Sequence, residues 1–241
     1  MKRQSFEIMD RVEEFHWWFR VRTKLMMLLI KMFAPNEQSL NILDIGCGTG
    51  LNSRNLKELG EICSLDNSYD ALEFCSSKGL TNIHYGDVRK LPFIDKQFDV
   101  VVILDVLEHV SDDSCAVTEI RRVLKQNGLV ICFVPAFSFL WSPQDELLGH
   151  FRRYTKTTLA DLFEEGWECK KISYFNFLLS PFIFLIRLVK KLKKKSRWKD
   201  EVDSFPLCNK IFYWIFSSEI FFLKKFNFPF GISLLAVYRK K

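Results

Sequence analysis

A run of seven residues holding three glycines, Asp44-Ile45-Gly46-Cys47-Gly48-Thr49-Gly50, constrains this chain more than any other feature. It continues the short apolar strand Leu40 to Ile45 and leads into Leu51 to Leu59, which reads as a helix stopped by Gly60. Strand, glycine turn and helix in that order bring backbone close to a ligand. Side chains at the glycine positions would block the approach, and the helix N-terminus offers N–H groups that have no intrahelical partner. The next strand, Glu61 to Asp66, ends in a carboxylate twenty residues beyond Gly46, where it can accept two hydrogen bonds from a ribose diol.

Beyond the turn the pattern alternates. Tyr69 to Lys78 is a helix closed by Gly79, and Asn82 to Tyr85 a third strand. Phe98 to Leu104 is a continuous apolar and β-branched run, as expected of a strand covered on both faces. Residues 112–126 form a helix ended by Asn127-Gly128, and Leu129 to Val134 is another fully apolar strand. Such alternation predicts an α/β fold, a doubly wound, mostly parallel sheet with helices on both faces. Thr155 to Glu165 reads as a helix capped by Thr157 or Thr158, Glu168 to Phe175 as a strand, and Gly231 to Tyr238 as the last strand. Residues 6–33 read as one helix, since neither Gly nor Pro interrupts them before Pro35.

A nicotinamide dinucleotide shares much of this pattern, but its fingerprint spaces the glycines G-x-G-x-x-G, and here Gly50 comes one residue early. Asp44 precedes the turn, an acid placed to meet a cationic ligand or to hold the loop's amides. It would repel a pyrophosphate but not a sulfonium.

With these details the chain resembles the class I S-adenosylmethionine-dependent methyltransferases, in particular the methyltransferase type 11-like group with L-D-I-G-C-G-T-G. The resemblance covers roughly residues 40–135, with four motifs in order. It implies S-adenosyl-L-methionine as cofactor and a Rossmann-like, seven-stranded sheet whose last strand, Gly231 to Tyr238, runs antiparallel at the edge. It implies that Gly46, Cys47, Gly48 and Gly50 approach the cofactor, that Asp66 with Asn67 meets the ribose, that Asp87 bonds the adenine amino group and that Val88 packs beside the base. Leu91-Pro92-Phe93 matches the loop before the fourth strand. Leu104-Asp105-Val106-Leu107-Glu108-His109-Val110 would lie beside the methionine part and the acceptor. An N-terminal helix would act as a lid, and Arg20 or Arg22 would pair with the methionine carboxylate. A plain docked helix is the other reading of that segment. The organisation expected is a single domain: lid helix 1–35, cofactor core 36–175, helical insertion 176–228 and final edge strand 229–241.

Methyl transfer from a sulfonium is an in-line displacement, so positioning supplies much of the rate, and a base is needed only for a hydroxyl or protonated amine acceptor. Of the four histidines, His84 lies in a strand and reads as structural, and His16 falls in the lid. His109, after the fourth strand, reads as a base or as a wall of the cofactor pocket. His150, in Gly149-His150-Phe151-Arg152-Arg153-Tyr154, follows the fifth strand where acceptor-binding loops fall. His150, Arg153 and Tyr154 could together activate a hydroxyl and hold an anionic acceptor. The competing reading is an ordinary helix approach with surface arginines. No group of residues has metal-ligand spacing.

Seven scattered cysteines without C-x-x-C read as reduced thiols, which suits a cytoplasmic protein, and nothing in Met1 to Ile30 has the order of a signal peptide. The net charge of +6 is uneven: residues 167–241 carry 16 Lys+Arg against 5 Asp+Glu, so the rest of the chain is mildly acidic. That basic third is also rich in the chain's 24 Phe. The run Lys190 to Lys199 suits anionic lipid heads, with the flanking aromatics at the headgroup boundary. Three readings stay open for the insertion: membrane surface or lipid acceptor, packed lid or dimer interface, and nucleic acid. Isolated stacking rings interleaved with basic residues would favour the last, and the clusters Ile211 to Phe216 and Ile220 to Leu223 do not show that pattern. The expectation is O-methylation of a lipid-linked, isoprenoid or glycan-type acceptor on the inner face of a membrane. The alternatives are an RNA or soluble small-molecule methyltransferase, a non-catalytic cofactor-binding partner of a membrane complex and, more distantly, a nicotinamide oxidoreductase.

Overall fold

A computed structural model describes residues 3–34, 39–185 and 206–241. Its frame is a seven-stranded sheet with strands β1 (Leu40–Ile45), β2 (Gly60–Asp66), β3 (Ile83–Tyr85), β4 (Phe98–Leu104), β5 (Leu124–Pro135), β6 (Trp167–Phe175) and β7 (Ser233–Lys240), in the spatial order β3-β2-β1-β4-β5-β7-β6. The first five strands are parallel, and β7 runs antiparallel to both β5 and β6. This is the expected Rossmann-like, doubly wound α/β architecture. The chain starts in the middle at β1, winds outward to β3, then crosses back to β4. The strand order therefore reverses between β1 and β4, and the crevice beyond their carboxyl ends is where such sheets bind ligands.

The helices are α1 (Arg3–Val12), α2 (Trp17–Phe33), α3 (Leu51–Leu56), α4 (Tyr69–Ser77), α5 (Asp113–Val123), α6 (Pro143–Leu148), α7 (Lys156–Asp161) and α8 (Pro206–Leu223). One apolar cluster joins Val101, Ile103 and Val130 to Ile120 of α5 and Leu159 of α7; another joins Ile42, Val100, Val102 and Ile131 to Leu25 and Leu29 of α2 and Phe216 of α8. Both faces of β4 are thus covered, which accounts for its apolar run Val100 to Leu104.

Several boundaries differ from expectation. The final strand is antiparallel as expected but does not form the edge: β7 sits between β5 and β6, with Ala236 opposite both Cys132 and Ile172. Leu234 to Val237 are fully buried for that reason, and β6 is the edge. The single helix expected over 6–33 is two, α1 and α2, broken at residues 13–16. No residue there is a helix breaker; tertiary bonds make the break. The Glu13 carboxylate accepts from the Thr49 hydroxyl and from Lys78 Nζ at 2.7 Å, and His16 Nδ1 accepts from the Trp18 N–H at 3.2 Å as the cap of α2. Helix α5 stops at Val123 because Leu124 already pairs with Phe98, and Asn127 takes a left-handed φ of 63°. The cap of α7 is Thr155, not Thr157 or Thr158, and the helix ends at Asp161.

The insertion helix α8 packs on α2. Trp18 stacks on Phe216 (ring centroids 5.7 Å apart) and Trp17 meets Phe212 and Phe216 edge-on. Asn209 ties it to the lid break, accepting from the Trp17 N–H (2.6 Å) and donating to the Phe15 carbonyl (2.8 Å). Fully buried Glu219 accepts from the Phe177 and Leu178 N–H groups at 3.0 and 2.8 Å, fixing the exit of β6. The run Lys190 to Lys199 lies outside the described residues. No helix among the described residues is long and apolar enough to cross a membrane.

Candidate active site

A cavity of about 910 Å³ opens at the β1/β4 reversal, bounded by the glycine turn, the β2 and β4 exits, the lid break, the 144–153 loop and the insertion. Its volume lies at the upper end of the range for small-ligand sites.

The turn is shaped by necessity. Gly46, Gly48 and Gly50 all have left-handed φ, at 72°, 53° and 84°. They serve different ends. A Cβ on Gly46 would fall 2.2 Å from Val106 Cγ2, and one on Gly50 would fall 2.8 Å from Leu80 Cδ1, so both allow close packing inside the protein. A Cβ on Gly48 would meet only Met9 Cε of the lid, at 3.7 Å, and would project into the cavity. Asp66 Oδ2 accepts from the Gly48 N–H and Oδ1 from the Ser68 N–H, both at 3.0 Å. Burial raises its pKa, which those amides partly oppose.

Gly46, Cys47, Gly48, Asp66, Asn67, Asp87, Val88, Leu104, Arg22, His109, His150 and Arg153 all line the cavity. Three candidates are not among the lining residues. Asp44 is buried behind the turn and accepts from Ser53 Oγ at 2.6 Å rather than from loop amides; burial pushes its pKa up to about 6. Gly50 faces Cys75 and Leu80. Tyr154 is buried and donates its hydroxyl to Asp113 Oδ2 at 2.7 Å, which bolts β5's exit to α5. Arg20 does not line the cavity either; it stacks on Tyr213 of α8, 4.4 Å from the ring centroid.

Arg22 is 6% exposed, lies over the Trp18 and Phe133 rings and pairs with Asp105, leaving Nε and Nη2 buried without a partner. Asp87 is clamped by Arg89 through Nη2 at 2.5 Å, which lowers its pKa. In the 144–153 loop, Asp145 binds three neighbours: the Ser142 N–H, His150 Nδ1 at 2.8 Å and the Arg153 guanidinium. Burial works against its charge, yet the His150 and Arg153 bonds hold its pKa well below the usual carboxylate range. The His109 and His150 rings meet edge-to-face with centroids 4.6 Å apart, and burial pulls the His109 pKa down to about 4. Glu108 is 1% exposed; burial first, then Asp105, raises its pKa well above normal, and its Oε2 has no partner.

Glu13, His16, Asp145 and Asn176 also line the site without having been assigned a role from sequence, and Asp105 and Glu108 line it within the segment expected beside the methionine part and the acceptor. Asp105 and Glu108 stood inside the quoted motif beside His109. Asp145 had one signal, a Ser142-x-x-Asp145 capping box at the start of α6.

A fold reversing at β1/β4 with a glycine cradle and an acid at the next strand end defines a nucleoside-cofactor enzyme, and comparisons narrow this further. The family model for the methyltransferase domain matches residues 43–132. A demethylmenaquinone methyltransferase of Staphylococcus aureus is 30% identical over 158 residues, 58% of this chain and 63% of that enzyme, so the chain spans under two thirds of its length. An uncharacterised protein of Methanocaldococcus jannaschii is 32% identical over 69% of this chain and 73% of its own length. A solved S-adenosylmethionine-dependent methyltransferase of Thermotoga maritima, 18% identical, superposes with a TM-score of 0.61 over 99% of this chain and 96% of that one. The chain belongs to the class I S-adenosylmethionine-dependent methyltransferases. Its cofactor is S-adenosyl-L-methionine, and the open space over Gly48 together with the unpartnered Nε and Nη2 of Arg22 fits that molecule.

Proposed function

We propose that this methyltransferase acts on a hydroxyl of a lipid-linked or isoprenoid acceptor presented at a membrane surface. The observation that carries this reading is the far wall of the cavity, which the insertion builds from Leu179, Phe182, Ile183 and Phe212. Phe182 belongs to that wall and is also 52% exposed, so the apolar lining runs out to the protein surface. Trp214, Phe221 and Phe222 of α8 are exposed on the same insertion. Exposed aromatic clusters of this kind mark contact sites, and aromatic rings suit the membrane boundary. The S. aureus relative is named for demethylmenaquinone, a lipid quinone, and the same acceptor class fits an apolar groove that opens outward.

Bound S-adenosylmethionine supplies the methyl group on its sulfonium. In this reading Gly46, Cys47 and Gly48 admit the cofactor, Asp66 with Asn67 accepts from the ribose hydroxyls, Asp87 accepts from the adenine amino group, and Val88 and Leu104 pack against it. The free nitrogens of Arg22 take the methionine carboxylate. His109, His150 and Arg153 face the acceptor end. The test is methyl transfer from labelled cofactor to membrane extract, with vesicle flotation of the protein and its Trp214→Ser/Phe221→Ser/Phe222→Ser variant. Transfer into the lipid fraction, with flotation lost in the variant, is expected. Transfer only to RNA or to water-soluble molecules overturns the acceptor reading, and binding without turnover overturns catalysis.

A further inference from the structure

Glu108, His109 and His150 present one carboxylate oxygen and two imidazole nitrogens that all lie within 4.8 Å of one another. The histidines come from separate segments, the β4 exit and the 144–153 loop. These are pinned together where the Phe151 N–H donates to the Glu108 carbonyl at 2.7 Å. A first-row divalent ion with bonds of about 2.1 Å places its ligand atoms roughly 3.4 Å apart in a tetrahedral site.

The surroundings have the features of an ion site. Histidines that bind metal hold their second nitrogen on a carboxylate or carbonyl. His150 Nδ1 is on Asp145 Oδ1 at 2.8 Å, leaving Nε2 free. Glu108 is almost wholly buried with Oε2 unpartnered on the cavity wall, a position that costs stability unless a cation or donor meets it. Both nearby guanidiniums act on Glu108 through charge but neither hydrogen-bonds it, since Arg153 is paired with Asp145 and Arg22 with Asp105. Three carboxylates thus face two fixed positive charges. The spacing in sequence gives no hint of this, because the third donor is forty-one residues away.

We propose that Glu108, His109 and His150 bind one divalent transition-metal ion, whose open positions take an oxygen of the methyl acceptor. Two imidazoles and a carboxylate suit Zn²⁺, Co²⁺ or Fe²⁺ better than Mg²⁺ or Ca²⁺. The role of the ion rests on the methyl-transfer reading above: a hydroxyl held on it would give its proton to water, keep the O–H electron pair on oxygen and use that pair to bond the methyl carbon, while the carbon–sulfur bond breaks and its pair returns to sulfur, leaving a methyl ether and S-adenosylhomocysteine. This places His150 as a ligand and Asp145 as the positioning residue behind it.

The experiment is titration of the purified, metal-stripped protein with Co²⁺, read by visible absorption and calorimetry, beside S-adenosylhomocysteine titration of the same sample. One ion per chain, with a nitrogen/oxygen-type spectrum, is expected. Affinity should drop at least tenfold in Glu108→Gln and in His150→Ala and more modestly in Asp145→Asn. An unchanged circular dichroism spectrum and urea midpoint serve as the control for folding. No binding above buffer, affinity unchanged in Glu108→Gln, or a thiolate-to-cobalt band that assigns the ion to cysteines overturns the proposal. Cobalt binding without S-adenosylhomocysteine binding would leave the ion site standing and remove the cofactor placement instead. The reverse outcome sinks the ion site alone.

Discussion

His16 offers a direct test of how the start of α2 is held. It caps α2 through Nδ1, so its proton sits on Nε2, which is buried on the cavity wall without a partner. The ring packs against Trp17 and Phe19. Burial lowers its pKa from 6.5 to about 4. The folded-state value lies below the unfolded one, so as pH falls through 6.5 the unfolded chain takes up a proton that the folded chain refuses. Stability from this group is therefore intact above about pH 6.5 and is lost progressively down to about pH 4. A tenfold difference in proton affinity between the two states is worth about 1.4 kcal/mol, and by pH 4.5 the loss amounts to roughly 2.5 kcal/mol. The perturbation is His16→Asn, which keeps a capping acceptor and cannot be protonated. Urea unfolding from pH 7.5 to 4.5 should show wild type losing about 2.5 kcal/mol more than the variant, on the order of 1 M in midpoint. His109, also lowered to about 4, titrates in both proteins and cancels from the difference. Parallel pH profiles would refute the account of a buried, neutral cap.

Gly48→Val should leave a folded protein, because only Met9 Cε stands near the new Cβ. Its left-handed φ of 53° costs roughly 1–2 kcal/mol, a Tm drop of about 2–8 °C, while S-adenosylhomocysteine binding disappears from calorimetry. Retained affinity would misplace the cofactor. Glu219→Ala removes the acceptor for the Phe177 and Leu178 amides and should speed their hydrogen exchange roughly 5- to 150-fold, from about 1–3 kcal/mol per buried unsatisfied group. Unchanged exchange at those two amides would mean α8 does not hold the β6 exit.

The parts of the fold that could be read from sequence are those where local pattern and tertiary role coincide. Phe98 to Leu104 matched the fourth strand residue for residue because a strand buried on both faces reads as a β-branched run, with its one acid, buried Asp99, beside its start. The lid break was not legible, since it depends on Glu13 reaching Thr49 and Lys78, partners thirty-six and sixty-five residues away. Strand order was also beyond periodicity, although the unbroken run Leu234 to Val237 carried a usable hint, because an edge strand rarely stays fully apolar. Within the site the left-handed glycine turn was legible because turn chemistry is local, although Gly50 faces Cys75 and Leu80 rather than the cavity. Asp44 and Tyr154 misled because a polar side chain near a motif can turn inward, toward Ser53 and Asp113, as easily as toward a ligand.

The insertion shows why composition alone left the membrane and packed-lid readings, two of its three, in competition. Helix α8 is apolar all round, so no polar face marks which side packs. Phe216, Ile220 and Leu223 are buried, and Phe216 packs on Trp17 and Trp18 of the lid, while Ile211, Trp214, Phe221 and Phe222 lie exposed. The packed-lid reading describes the first face, and the membrane proposal concerns the second. The two are joined through the cavity, because α2 contributes both Trp17 and Trp18 to its wall and α8 contributes Phe212. Any contact that draws the outer face of α8 into an apolar phase therefore acts on a helix that also shapes the acceptor end of the site. Acceptor entry and surface docking should then be coupled, with vesicles lowering the acceptor KM more than they raise kcat. Serine at Trp214, Phe221 and Phe222 should abolish that vesicle effect while leaving S-adenosylhomocysteine affinity unchanged, because none of the three lines the cavity.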